Sequence, residues 1–251
     1  MQEEKKQEYF KTAKILVKIE ENSRNGKSEF EDLYGLMHRE DFIIQVVTKI
    51  SKNKGIDTKG VDGKGYDGFG IENVTELSRE LKEGKYMPSP SRRVYIPKPG
   101  KKKKRPLGIP TLKDKIVQGM VNEILTAIYE PVFEKRDGNA NFGFRRRKGV
   151  RQAIEKIEQK GMAMKWCIEG DIEGAYDNVN HGKMINILSE KIKDKKFTKL
   201  IKNMLKSGIM ERGTTTESEM GTPQGGIVSP TLFNIYMSEL DKYIKRKIII
   251  S

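Results

Sequence analysis

Residues 91–110, SRRVYIPKPGKKKKRPLGIP, limit the fold more than any other stretch of the chain. Arg92 to Lys98 alternates apolar and polar residues as a strand does, Pro99 and Gly100 open a lysine-rich turn, and Arg105 to Pro110 returns as a second strand. Two such runs across a short turn pair as an antiparallel β-hairpin. A lone hairpin is marginal in water and needs an apolar partner. The next residues, TLKDKIVQGMVNEILTAIYEPVF, offer one. Thr111 and Asp114 have the spacing of a helix cap, Ile116, Met120, Val121, Ile124, Leu125 and Ile128 fall on one helical face, and Pro131 marks the end.

The remaining periodicities fill in an α+β chain, with several helices around a small antiparallel sheet. Residues 7–22 and 30–51 carry apolar residues at helical spacing. Residues 53–70, NKGIDTKGVDGKGYDGFG, are dense in Gly and Asp and form a loop. A short helix follows, with Asn73 and Glu76 at near capping-box spacing and Gly84 in the place of a C-terminal cap. The pattern then predicts a helix over 149–160, a buried strand over 163–172, a helix from 183 and another from 197. Residues 209–226 read as a hairpin and a Gly-rich turn, and Ser229 with Pro230 opens a last helix.

Composition narrows the function. The chain is 35% hydrophobic and 33% charged, with a formal net charge of +14. That balance favours polyanionic partners. Cys167, the single cysteine, excludes an intrachain disulfide and a thiolate zinc cluster, and sits in an apolar run as a small core residue. Two histidines are too few for a histidine metal site. No apolar run reaches the ~18 residues of a membrane span, and the N-terminus lacks the apolar core of a signal peptide. The expectation is a protein that is not secreted, working in a bacterial cytoplasm or an organelle interior.

The residues that bear on chemistry lie in three places. In WCIEGDIEGAYDNVNH an apolar run ends at Asp171. A carboxylate at a strand end suits a hard cation such as Mg²⁺, and Mg²⁺ suits phosphoryl transfer. An Asp there equally serves a turn, and Asp177, just before a helix, reads as a cap. Tyr176 could lie under a bound sugar or belong to the core. Residues 91–105 hold eight Lys or Arg and no acid. Lys98 and Arg105, across the turn from each other, can converge on a triphosphate. In GTPQGGIVSP the glycines allow close backbone approach and Gln224 offers a donor and an acceptor.

Taken in order, SRRVYIPKPGKKKKRPLGIP, IEGDIEGAYDNVNH and GTPQGGIVSPTLFNIYMSELD resemble consecutive blocks of the group II intron reverse transcriptase (maturase) family. NFGFRRRKG resembles the block between the first two, and NKGIDTKGVDG the block ahead of them. The resemblance spans about residues 30–243. It implies a right-hand polymerase: an N-terminal extension over 1–29, fingers with an RNA-gripping loop over 30–160, and a partial palm over 161–251. Asp171 resembles the first palm metal ligand, with the Ile172 carbonyl beside it, in a two-metal Mg²⁺ site. Tyr176 resembles the gate against a 2′-hydroxyl, Lys98 and Arg105 the cations on the incoming dNTP, and Gln224 the glutamine beside its sugar. Arg92, Arg93, Lys101, Lys102, Lys103 and Lys104 are candidates for RNA contact.

The family's palm also carries a paired-aspartate motif after the last helix, and this sequence contains no Asp-Asp pair. The leading reading is therefore an RNA-directed DNA polymerase and maturase whose chain as given is inactive alone. Its implied partners are an RNA template, intron RNA, a DNA primer, dNTPs and a palm and thumb segment supplied in trans. The alternative is a non-catalytic RNA-binding splicing factor. A viral-type RNA-dependent RNA polymerase fits less well, because GTPQGGIVSP differs from the block those enzymes place there.

Overall fold

The computed structural model describes residues 11–98, 100–136, 141–161, 165–222 and 225–248. The elements run α1 Lys11–Arg24, α2 Tyr34–Met37, α3 Glu40–Ile50, α4 Ile71–Lys82, β1 Ser91–Lys98, β2 Lys101–Ile109 and α5 Leu112–Arg136. After these come α6 Val150–Gly161, α7 His181–Lys191, α8 Lys195–Lys206, β3 Ile209–Glu211, β4 Thr214–Thr216 and α9 Ser229–Ile248.

Helix α5 is the hub. Its Ile116, Val117, Met120, Val121, Ile124, Leu125 and Ile128 are fully buried, and α1, α3 and α9 pack around it. The helix is buried on nearly every side, with Asp114, Lys115, Gln118, Glu123 and Glu130 among its buried residues. The sequence places its end at Pro131, but the helix runs on to Arg136. The proline removes one N–H and crowds the preceding turn. Beyond it, Val132 and Phe133 are buried, and Glu134 pairs with Arg24 at 2.6 Å, so packing outweighs the lost bond. Just before it, Glu130 accepts from Arg145 Nε and Nη2 at 3.0 and 2.7 Å. Arg145 also lies 5.3 Å from the Phe133 ring centre, and its Nη1 donates to the Asn141 carbonyl. This buried pair fastens the 141–149 loop to α5.

The sheet has the order β2-β1-β3-β4. The expected hairpin is present, with Arg93 opposite Gly108 and Ile96 opposite Arg105. Its register shifts between Ile96 and Lys98, where Pro97 cannot donate to the ladder. The sheet is mixed rather than antiparallel throughout, because β1 and β3 run parallel through Ser91–Ile209 and Arg92–Met210. The long excursion from β1 to β3 through α5–α8 permits that direction.

Three local expectations are corrected. The cap of α4 is Gly70, whose N–H donates to Asn73 Oδ1 at 2.9 Å, so Asn73 is the third helical residue and not the cap. The strand expected over 163–172 is absent among the described residues: 165–172 carries no ladder, and Trp166 and Ile168 are 88% and 97% exposed. Residues 162–164 lie outside the described residues. A strand pattern becomes a strand only beside another strand, and none of β1–β4 runs there. Cys167, expected in the core, is exposed for the same reason. Among the described residues no helix is long and apolar enough to cross a membrane.

Replacing Arg145 with Met leaves Glu130 buried and unpaired. We expect a loss of about 3–5 kcal/mol, read as a lower urea midpoint, with faster protease cutting in residues 141–149. An unchanged midpoint would show that the pair does not hold the loop.

Candidate nucleotide and nucleic-acid cleft

The turn after Asp171 is stitched to the Gly-rich segment. Gly221 N–H donates to the Val179 carbonyl at 2.7 Å, and Thr222 N–H to the Tyr176 carbonyl at 2.8 Å. Asn180 bridges Met220. Only glycine suits position 221. Its φ is +90°, and a Cβ there would lie 3.0 Å from the Asp177 carbonyl oxygen. His181, buried at the start of α7, sets its Nε2 2.7 Å from the Gly221 carbonyl. That oxygen can only accept, so Nε2 carries the hydrogen. Tyr176 packs on Phe233 of α9 with ring centres 4.7 Å apart, and burial raises its hydroxyl pKa. The ring is fixed by a second ring, as a sugar platform would need.

Beside this turn, Arg93, Asp177, Ser91, Gly108, Gly221 and Thr222 line a cavity of about 170 Å³. That is below the ~300 Å³ of ordinary ligand clefts and has room for part of a nucleotide. Asp177, read from sequence as a cap, lines this cavity together with Arg93 of β1. Asp171 is exposed on the unpaired segment and does not line this cavity.

The other site residues divide. Arg105 is exposed on β2, on the face opposite that of Arg93. Gly225 approaches β2 so closely that a Cβ would sit 2.5 Å from the Gly108 carbonyl and 2.8 Å from Leu107 Cδ1. Ile227 N–H donates to Gln118 of α5 at 2.9 Å. The Gly-rich turn is therefore held against the hairpin. Gln224 and the side chains of Lys98, Lys101, Lys102 and Lys103 lie outside the described residues, while Lys104 is exposed. Arg92, expected to contact RNA, also serves as a tie: its Nε and Nη2 donate to the Lys59 carbonyl at 3.0 and 2.7 Å.

That tie shares its work with a residue the sequence reading missed. Lys115 is 7% exposed, and its Nζ donates to the carbonyls of Gly55, Ile56 and Thr58 at 2.9, 3.0 and 2.7 Å. Burial lowers its pKa, and Asp57 and Asp62 oppose the shift. Three fixed carbonyls on one ammonium make the Gly- and Asp-rich loop an ordered structure. The loop walls a second cavity of about 860 Å³, lined by Lys59, Lys64, Lys85 and Lys113 and equally by Asp62, Asp67, Glu76 and Glu80. The available signal was a lysine directly beside the buried-face positions Ile116 and Val117.

A hairpin of cations, a glycine turn docked on it and a carboxylate turn stitched to that glycine turn lie together. The chain belongs to the reverse transcriptase (RNA-dependent DNA polymerase) family, whose profile matches residues 96–251. It is 42% identical over 234 residues to the group II intron-encoded protein LtrA of Lactococcus lactis subsp. cremoris, covering 93% of this chain and 38% of that protein. It is 31% identical to the putative COX1/OXI3 intron 1 protein of Saccharomyces cerevisiae, covering 91% and 27%. The chain thus spans well under half the length of these relatives. A solved partial Cas6-RT-Cas1–Cas2 complex shares the fold, with TM-score 0.53, 22% identity and coverage of 85% of this chain and 35% of that one.

Reverse transcriptases depend on a divalent metal. The Asp171 carboxylate and the Ile172 carbonyl are hard oxygen donors of the right kind. They are too few, and no group of three His, Cys, Asp or Glu able to hold a metal occurs among the described residues. The described residues do not make a metal site by themselves.

We expect Lys115→Met to strand three carbonyls, costing about 1–3 kcal/mol and opening residues 53–70 to limited proteolysis; Lys115→Arg should preserve much of the protection. Equal cutting rates in wild type and the Met variant would remove the anchoring role.

Proposed function

We propose that this chain supplies the fingers and part of the palm of a group II intron reverse transcriptase and maturase, acting in template-directed dNTP addition and in binding intron RNA. Residues 30–160 form the fingers and 161–251 the partial palm. In this reading Arg105, with Lys98, meets the triphosphate, Tyr176 underlies the sugar, and Gln224 stands beside it. Arg93 contacts the template or the nucleotide, and Lys104 the RNA backbone. Asp171 with the Ile172 carbonyl contributes to a Mg²⁺ site whose other carboxylates come from a palm and thumb segment. The setting is a bacterial cytoplasm or an organelle interior.

The observation that carries this reading is the Gly-rich segment packed on the hairpin at one end and on the 171–181 turn at the other: Gly225 against Leu107 and Gly108, and Gly221 against Asp177, which lines a cavity with Arg93. Substrate groups would thereby be gripped by β1, β2 and the 171–181 turn together. These residues bind and orient; the metal, when complete, supplies charge neutralisation at the transferring phosphorus.

Primer extension on a primed RNA template with dNTPs tests the proposal. The chain alone should make no product, and addition of a polypeptide carrying the remaining palm and thumb should restore extension. Product from the chain alone would refute the incomplete-site reading. In the restored system Arg105→Ala should raise the KM for dNTP roughly 10–100-fold, the worth of one charge-assisted hydrogen bond. An unchanged KM would remove Arg105 from the nucleotide site.

A further inference from the structure

Helix α8, KKFTKLIKNMLK, carries five lysines and no acid. Its apolar residues Phe197, Leu200, Ile201, Met204 and Leu205 are buried, so one face belongs to the core. Lys195, Lys199, Lys202 and Lys206 are all exposed. At 3.6 residues per turn they fall within roughly 60° of one another, and they span about 16 Å along the axis. Among the described residues no acidic side chain pairs with any of the four. The nearby Asp194 is occupied, accepting from the backbone N–H groups of Tyr34, Lys196 and Phe197.

This arrangement works against the helix that carries it. Lys195–Lys199 and Lys202–Lys206 are like charges four apart, and Lys195 and Lys196 put two cations at the positive end of the helix dipole. A merely solvated face would mix signs, as α6 and α9 do: Arg151 and Glu155 pair along α6 at 2.8 Å, and Lys242 pairs with Glu239 along α9.

We propose that the outer face of α8 is a binding ridge for the phosphate backbone of double-helical RNA. It is a separate element from the cationic hairpin and rests on the reading of this chain as an RNA-handling protein. The chemistry selects the partner. Lysine meets phosphate as a point charge, without reading sequence. The ridge has no exposed aromatic ring among its lysines, and such rings are what single-strand platforms use. Its apolar side is buried, so it has nothing to insert into a bilayer. A stiff, straight row of cations instead fits the fixed phosphates of a duplex, recognised by shape.

The test uses the full chain and an RNA stem of about 20 base pairs, slightly longer than the ~16 spanned by a typical duplex-binding module. Binding is followed by fluorescence anisotropy over a salt series. Substituting Lys195→Gln, Lys199→Gln, Lys202→Gln and Lys206→Gln together should weaken binding and flatten the log–log salt slope by about 3, at roughly 0.7–0.9 per phosphate released. Arginine at the same four positions should retain the wild-type slope. The melting temperature of the Gln set should be unchanged or higher, because repulsion is removed. An unlabelled single-stranded template, measured in parallel, should bind the Gln set as it binds wild type. An unchanged duplex slope overturns the ridge alone. Equal losses for duplex and single strand reduce it to net charge and also overturn it. So does a lower melting temperature, or binding transferred to phosphatidylglycerol vesicles in place of RNA. If wild type binds neither RNA, the proposed function fails and the ridge with it.

Discussion

The start of α5 is the joint on which the rest turns. Asp114 is 3% exposed and takes the Tyr86 hydroxyl at 2.6 Å, the Thr111 hydroxyl at 2.6 Å and the Ser89 N–H. Burial raises its pKa, and the three donors hold that shift back. Lys115, the next residue, reaches three carbonyls of the 53–70 loop. Two neighbouring charges therefore face different segments. One pins the lead into β1, and the other pins the loop. Both segments are fixed to a helix buried on nearly all sides, so hairpin and loop keep one geometry relative to each other. A charge buried this deeply is tolerable only when its hydrogen bonds are complete.

Rigidity continues from that joint toward the cleft. Gln118, one turn along α5, accepts from Ile227, and Asn122, a further turn along, accepts from Thr231 at 2.6 Å. The Gly-rich turn and the first turn of α9 are thus read off the same helix. Phe233 of α9 then seats Tyr176. Residues far apart in sequence reach the cleft through successive turns of one element, which is why a site assembled from short turns can be well positioned.

What the sequence disclosed follows from this. The hairpin, α5, its Thr111–Asp114 cap and the Gly84 cap with φ +70° were legible because their causes are local: alternation, helical spacing and turn chemistry. The strand over 163–172 was misread because a ladder needs a partner, and alternation says nothing about whether one is present. Pro131 was misread because burial of Phe133 and the pairing of Glu134 are tertiary facts. At the site, the motif order singled out Tyr176 and the Gly-rich turn, which meet through the Thr222 N–H and the Tyr176 carbonyl. The roles of Arg92 and Lys115 were hidden because their partners are backbone carbonyls, which every residue has. Asp177 looked like a cap because local spacing cannot show that Arg93 arrives beside it.

The charge distribution obeys the same division. Many of the acids are engaged inside the fold: Asp114 at the joint, Glu130 with Arg145, Glu123 with Lys49 and Arg146, Glu80 with Lys113, Asp41 with Arg39, and Asp194 at a helix cap. The excess of 14 positive charges is consequently expressed on outer surfaces. On the hairpin the cations stand beside a cleft with a carboxylate turn. On α8 four of them stand in line, and among the described residues none of the four pairs with an acid. Composition alone announced a polyanion partner; the pairing pattern of the acids is what separates the cations of the hairpin from those in line on α8.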